Sequence, residues 1–224
     1  MEAGYEGRPV VIFGAAGALG HGLAAAFAEA GAAVTGVDKG EPGTGRTLPG
    51  VRYRTADAQD DGSVRALFEE IPVPWAVVNT VGGYAPARPL GELDVAELND
   101  QIQLNLVTAA VITKHALPAM RRSGQGRIVH TASRAAVVTE GSGFAYSMSK
   151  LGVLHLVSMA ASEVRGTGVT VNCVVPSVID TPANRAAMPS ADHAAWPKVA
   201  DIARSYLFLA SPAAGLVNGA RVPV

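Results

Sequence analysis

Between the apolar run PVVIF (9–13) and the alanine-rich segment LGHGLAAAFAEAG (19–31) stands GAAGALG (14–20). A β-prone run, a glycine-rich turn and a helix-prone segment, in that order, open a βαβ unit. That opening commits the chain to a crossover and a parallel strand further on. The rest of the sequence meets the commitment. AAVTGVD (32–38) predicts a second strand, after a helix closed by Gly31. GEPGTGRTLPG (40–50) reads as a loop and not as a domain linker, because the pattern resumes at once with VRYRTAD. A helix follows near 61–70, then a strand, WAVVN (75–79), and a long helix over about 95–122. Next come a strand, GRIVHTAS (126–133), a helix over 144–164 and a strand, GVTVNCVVP (168–176). A Pro-rich loop leads to a helix over 201–211 and a last short strand, ARVPV.

The interior strands are nearly continuous apolar runs instead of alternating ones. Such strands are buried on both faces, as in a parallel sheet with helices on each side. The predicted fold class is therefore α/β, one doubly wound Rossmann-type domain over residues 1–224. A chain of 224 residues suits one domain with a substantial core. Only 17% of residues are charged and 49% are hydrophobic, which excludes a disordered chain. Aromatics make up 5%, so Ala, Val, Leu and Ile must build the core.

Charge and targeting signals narrow the partners. The formal charge is −1 and no Lys/Arg block stands out, so no nucleic acid and no membrane surface is expected as a partner. The first residues, MEAGYEGRPVVIFG, do not read as a signal peptide. No apolar stretch approaches the about 18 residues of a membrane span. The single cysteine, Cys173, lies in the apolar run VNCVV, where a small buried hydrophobe is expected. It excludes an internal disulfide and suits a reducing, cytoplasmic location.

Glycines in the first turn let a backbone approach a pyrophosphate, and the helix N-terminus offers it N–H groups and a partial positive charge. Gly14, Ala16, Gly17, Ala18, Leu19 and Gly20 are the candidate residues. Asp38 ends the second strand, where a carboxylate accepts from both adenine-ribose hydroxyls and repels a 2′-phosphate. NAD(H) is therefore the preferred cofactor. Lys39 next door softens that preference, so NADP(H) is not excluded. The alternative for Asp38 is a plain turn residue before KGEPG. Asp57, with Ala58, lies within reach of an adenine; the alternative for Asp57 is a cap on the helix near 61.

FAYSMSK (144–150) places Tyr146 and Lys150 four apart on one helical face. Carbonyl reduction needs a proton delivered to the developing oxyanion, and a tyrosine delivers it well only if its phenolate is stabilised. A lysine at i+4 supplies the charge. Ser133, at the end of the preceding strand, can hydrogen-bond the same substrate oxygen. Asn105 in the long helix can hold a water that connects Lys150 to solvent.

These residues together resemble the short-chain dehydrogenases/reductases, from residue 9 to the end. The resemblance rests on the Gly-rich turn, NTVG (79–82), LNL around Asn105, Ser133, YSMSK and NCVVPSVIDT (172–181). It implies a sheet in the order 3-2-1-4-5-6-7 and a catalytic tetrad of Asn105, Ser133, Tyr146 and Lys150. Tyr146 and Lys150 would also touch the cofactor. Asn79 would steady the sheet beside it, with Val81 and Gly82. Pro176, Val178, Ile179 and Thr181 would embrace the nicotinamide. The helices at 95–122 and 144–164 carry more apolar surface than one sheet face covers, and in this family their counterparts pair across a two-fold axis. A homodimer or homotetramer is expected.

The chain departs from the usual TGxxxGxG turn, with Phe13 for the threonine, Gly17 one place early and Ala18 for the middle glycine. NNAG has become NTVG, and Ser177 follows Pro176 where glycine is usual. GAAGALG, VGGY (81–84) and DTPANRAAMPSADHAAW (180–196) are similar to the dihydropteridine-reductase subgroup, which reduces quinonoid dihydropterin with NADH. That likeness implies a substrate lid near 180–198 and substrate contacts from Gly83, Tyr84, Ser133, Arg134, Tyr146, Asn184, Met188 and Trp196. The subgroup lacks the family serine and asparagine, whereas Ser133 and Asn105 are both present here. The expected activity is hydride transfer between NADH and a C=O or C=N carbon of a small molecule. Quinonoid dihydropterin is the specific alternative, and a dinucleotide-binding redox sensor the non-enzymatic one. The five histidines are dispersed with no HxH or HExxH, so no metal site is expected. GxSxG is absent, so a serine hydrolase has no support.

Overall fold

A computed structural model of the chain describes residues 4–41, 43, 47–85, 87–138 and 143–224. Residues 42 and 44–46 of the loop expected over 40–50 lie outside that description. Seven strands form one sheet in the order β3-β2-β1-β4-β5-β6-β7. They are β1 (Pro9–Phe13), β2 (Ala33–Asp38), β3 (Arg52–Thr55), β4 (Ala76–Asn79), β5 (Gly126–Thr131), β6 (Val169–Val175) and β7 (Arg221–Pro223). All six pairings are parallel.

Alternation along β1 shows why both faces are covered. Val10 and Ile12 join one core with Leu23 and Phe27 of α1 (Ala18–Glu29) and Ile202 and Tyr206 of α7 (Val199–Ala210). Val11 and Phe13 join the other. That second core holds Val64 of α2 (Asp61–Glu70), Ile112 of α4 (Thr108–Ser123) and Val153 of α5 (Phe144–Glu163). Successive side chains of a strand point to opposite faces, so an unbroken apolar run fills two cores at once.

The chain moves outward from β1 to β3, then returns to place β4 on the other side of β1. This reversal opens a crevice beyond the carboxyl ends of β1 and β4, where open α/β sheets bind ligands.

Two expected elements are corrected. The helix expected over 95–122 is α3 (Val95–Gln101), a π-helical segment (Ile102–Val107) and then α4. A π segment carries an extra residue within a helix and recurs at functional sites. The apolar pattern of IQLNLV suits either helix type, so the sequence held no sign of it. The strand expected over 126–133 ends at Thr131. Ser133 lies beyond it as the cap of a 3₁₀ turn, Arg134–Ala136, its hydroxyl accepting from Ala135 N–H at 3.2 Å. A serine in extended backbone before a tight turn satisfies a free N–H that a strand residue would not reach.

Among the described residues, no helix is long and apolar enough to cross a membrane.

Candidate active site

The crevice between β1 and β4 is a cleft of about 400 Å³ lined by the turn after β1, the ends of β2 and β3 and the loop after β4. Gly14, Ala16, Gly17, Asp38, Lys39, Asp57, Ala58, Val81 and Gly82 all face it. Gly14 has φ +81°, and a Cβ there would stand 2.6 Å from Thr80 Oγ1. At Gly20 a Cβ would stand 2.1 Å from the Gly14 carbonyl, so this glycine lets α1 close onto the turn. Gly17 caps α1 without a side chain, so no side-chain cap covers the N–H groups of its first turn, from Ala18, Leu19 and Gly20.

The Asp38 carboxylate holds the turn from β2, accepting from Ala16 N–H at 3.0 Å and Lys39 N–H at 2.9 Å. Asp57 does not cap α2. Asp60 takes that role, accepting from Ser63 N–H at 2.6 Å, and Asp57 accepts from Gln59 N–H at the cleft wall.

The loop after β4 is fastened on both sides. Thr80 Oγ1 donates to the Phe13 carbonyl at 2.8 Å, so the threonine of NTVG ties this loop to β1. The Asn79 amide accepts from Val81 N–H at 3.0 Å. Across the loop, the Asn105 side chain pairs with the Gly83 backbone, donating to its carbonyl and accepting from its N–H, both at 3.1 Å. Asn105 Nδ2 also lies 3.1 Å from Gln101 Oε1 and from Ser149 Oγ. The Asn105 side chain is thus committed to protein partners. Gly82 has no room for a side chain: a Cβ would stand 2.6 Å from Asn105 Oδ1 and 2.9 Å from Lys150 Nζ.

Lys150 is buried on α5, and its ammonium donates to the Thr131 carbonyl at 3.0 Å. Burial lowers its pKa to about 8. One helical turn earlier, burial raises the Tyr146 pKa, a hydrogen bond with Ser133 opposes the rise, and Tyr84 adds to it. The ammonium lies 6.0 Å from the Tyr146 ring centre and is turned to the end of β5. The Tyr84 ring meets that of Tyr146 edge-on, with centroids 5.2 Å apart.

The predicted lid folds as a loop closed at its base. The backbones of Asp180 and Lys198 pair in an isolated parallel β-bridge, and Asp180 N–H donates to the Pro197 carbonyl at 2.9 Å. Thr181 caps α6 (Pro182–Ala187). Asn184 Nδ2 donates to the Ile179 carbonyl at 2.8 Å, so this amide group holds the lid's own backbone. His193 bonds the Met188 carbonyl and packs on Trp196, ring centres 4.5 Å apart. Pro176 accepts from Arg134 N–H, which joins the end of β6 to the turn that carries Ser133. Val178 and Met188 are exposed at more than a third of their surface, and Arg134 is exposed.

The structure thus brings Asn105, Ser133, Tyr146 and Lys150 together at the Val81–Tyr84 end of the cleft. Thr80, Gln101, Thr131 and Ser149 belong to the same constellation and escaped sequence reasoning. For Ser149 a signal existed, since it lies three residues past Tyr146 in YSMSK, within one helical turn. Among the described residues, no cluster of His, Cys, Asp or Glu is placed to hold a metal.

Similarity to known proteins extends over the whole of this architecture. The profile of a family described as enoyl-(acyl carrier protein) reductase matches residues 14–224. The cis-4-hydroxycyclohexanecarboxylate dehydrogenase of Sinomonas cyclohexanicum is 33% identical, over 100% of this chain and 97% of that one. A short-chain type dehydrogenase/reductase from Mycobacterium ulcerans superposes with a TM-score of 0.92 at 26% identity, over 99% of this chain and 89% of the other. A candidate NAD(P)-dependent gluconate 5-dehydrogenase from Beutenbergia cavernae, solved with NADP at low occupancy, superposes at 0.90 and 27% identity. There the match covers 100% and 97% of the two chains.

Proposed function

The chain belongs to the short-chain dehydrogenase/reductase family, an oxidoreductase of the dehydrogenase/reductase kind, and from that premise we propose an NADH-preferring enzyme acting on a carbonyl or the corresponding secondary alcohol. The observation that carries this reading is the pairing of half-buried Tyr146 with buried Lys150 beside Gly82, with Ser133 near the phenol. The bound dinucleotide would supply the hydride.

The chain's own residues supply the rest. The turn from Gly14 to Gly20 holds the pyrophosphate through backbone N–H groups, and Asp38 and Asp57 receive the adenosine end. Pro176, Val178, Ile179 and Thr181 cover the nicotinamide end, where Val81 and Gly82 form the opposite wall. Ser133 donates to the substrate oxygen and orients it. Tyr146 would transfer its hydroxyl proton to that oxygen, the proton a C=O needs to become CH–OH. A raised pKa keeps the phenol protonated at neutral pH, the state a general acid needs in the reducing direction. Lys150, charged beside the phenol and drawn toward a ligand in the cleft, stabilises the phenolate left behind. Asn105 holds the Gly83 backbone so that Tyr84 stays against Tyr146.

Quinonoid dihydropterin remains the second reading. The exposed Tyr84 ring and the lid pair His193–Trp196 favour it, as flat surfaces suited to a bicyclic substrate. The groove lined by Leu98 of α3, Ile102 and Leu106 of the π segment and Met148 and Leu151 of α5 supports association of two copies.

The test is NADH oxidation against a panel of ketones, aldehydes and quinones, beside quinonoid dihydropterin, with NAD⁺ and secondary alcohols for the reverse. Carbonyl or alcohol turnover supports the first reading, and pterin turnover alone supports the second. NADH binding without turnover of any of them would point to a sensor and overturn both.

A further inference from the structure

His130 lies on β5, an interior strand next to the central β4, wholly buried, and both of its ring nitrogens are engaged. Nδ1 is 3.3 Å from Asn79 Nδ2, and Nε2 is 2.9 Å from Thr113 Oγ1. The direction of each bond follows from groups that can act in only one sense. Val81 N–H can only donate, and it donates to Asn79 Oδ1 at 3.0 Å, so the amide NH₂ faces His130. His130 Nδ1 therefore accepts, and the neutral ring carries its proton on Nε2. Thr113 accepts from Nε2 while its own hydroxyl donates to the Ala109 carbonyl at 2.7 Å. Four hydrogen bonds run head to tail from Val81 through β4 and β5 into α4.

A buried imidazole is a costly filler after Ile128 and Val129, the two apolar residues that precede it on the strand. What it provides is an acceptor aimed at Asn79. Burial, with the Lys150 charge as the lesser cause, lowers the ring's pKa to about 4, so Nδ1 stays an acceptor at neutral pH. An amide turned the other way would set NH₂ against Val81 N–H, donor against donor. Gly82, next in the loop, packs so closely that a Cβ there would stand 2.6 Å from Asn105 Oδ1 and 2.9 Å from Lys150 Nζ.

We infer that His130 is a positioning residue for the dinucleotide: by accepting from Asn79 it fixes the amide, and through the amide it sets the Val81–Gly82 wall of the cleft. The inference rests on the dinucleotide-binding reading above. His130 touches neither cofactor nor substrate.

Two near-isosteric variants separate positioning from packing. His130→Asn keeps an acceptor at the place of Nδ1, whereas His130→Gln moves the polar group toward Thr113 and leaves Asn79 without one. For a lost buried hydrogen bond, H130Q should weaken NADH binding about tenfold and H130N by less than about threefold. AMP, which needs only the Asp38 end of the cleft, should bind both variants within about twofold of wild type. Equal NADH affinity in the two variants overturns the inference, as does a parallel loss of NADH and AMP binding. Failure of the wild type to bind NADH would instead overturn the dinucleotide reading. Should neither variant fold, nitrogen NMR of the wild-type histidines decides. A protonated Nε2 with bare Nδ1 supports the chain of bonds, and a protonated Nδ1 refutes it.

Discussion

Lys150 Nζ donates to the Thr131 carbonyl at 3.0 Å, the last residue of β5, and not to the phenol one helical turn before it. The ammonium is buried and, among the described residues, is answered by a single neutral oxygen, which offsets only part of the cost of leaving water. A ligand in the cleft would complete its surroundings.

The cost has a pH signature. Lysine in the unfolded chain titrates near 10.5, and in the folded protein Lys150 titrates at about 8. Below 8 both states hold the proton and the full penalty applies. Between 8 and 10.5 the unfolded chain holds more protons, so this group's contribution to stability rises with pH. Lys150→Met should therefore gain most over wild type at neutral pH. That gain should shrink by on the order of 3 kcal/mol as pH approaches 10.5, the free-energy equivalent of the shift. Urea unfolding of both proteins at neutral and alkaline pH measures it. A difference that does not change with pH refutes the assignment.

Tyr146→Phe keeps the ring against Tyr84 and removes only the hydroxyl shared with Ser133. Turnover should fall by a factor of about 100 or more while the Kd for NADH stays within about threefold. Steady-state rates and fluorescence titration report the two quantities. Retention of more than about a tenth of the activity would mean the proton comes from elsewhere.

Asp38→Ala removes the carboxylate at the rim and leaves Lys39 beside the site of a 2′-phosphate. The Kd ratio of NADPH to NADH should fall by about tenfold or more. Calorimetric titration with both dinucleotides checks it. An unchanged ratio would leave Asp38 only its bonds to Ala16 and Lys39, as a residue that holds the turn.

Tyr84→Ala takes away an exposed ring that stands edge-on to Tyr146 at 5.2 Å. For a cyclic substrate, KM should rise by up to about tenfold with a smaller change in kcat, and Tyr84→Phe should restore it. Equal effects of the two substitutions would show that the hydroxyl, not the ring face, is what matters.

Much of this molecule was legible in its sequence because the information was local. Unbroken apolar runs such as VVIF and AVVN can be buried only between two layers of helices, and GAAGALG between strand and helix can only be a crossover turn. The four-residue spacing of Tyr146 and Lys150 alone puts both on one face of α5. Other features depend on contacts between distant residues. Lys150 finds its oxygen on β5, Asn105 clasps Gly83 from a π segment, and His130 takes its meaning from Asn79 and Thr113 on two other elements. A sequence shows which groups can donate or accept. Only the packed sheet, by excluding water from them, decides which partner each must take and in which direction the bond runs.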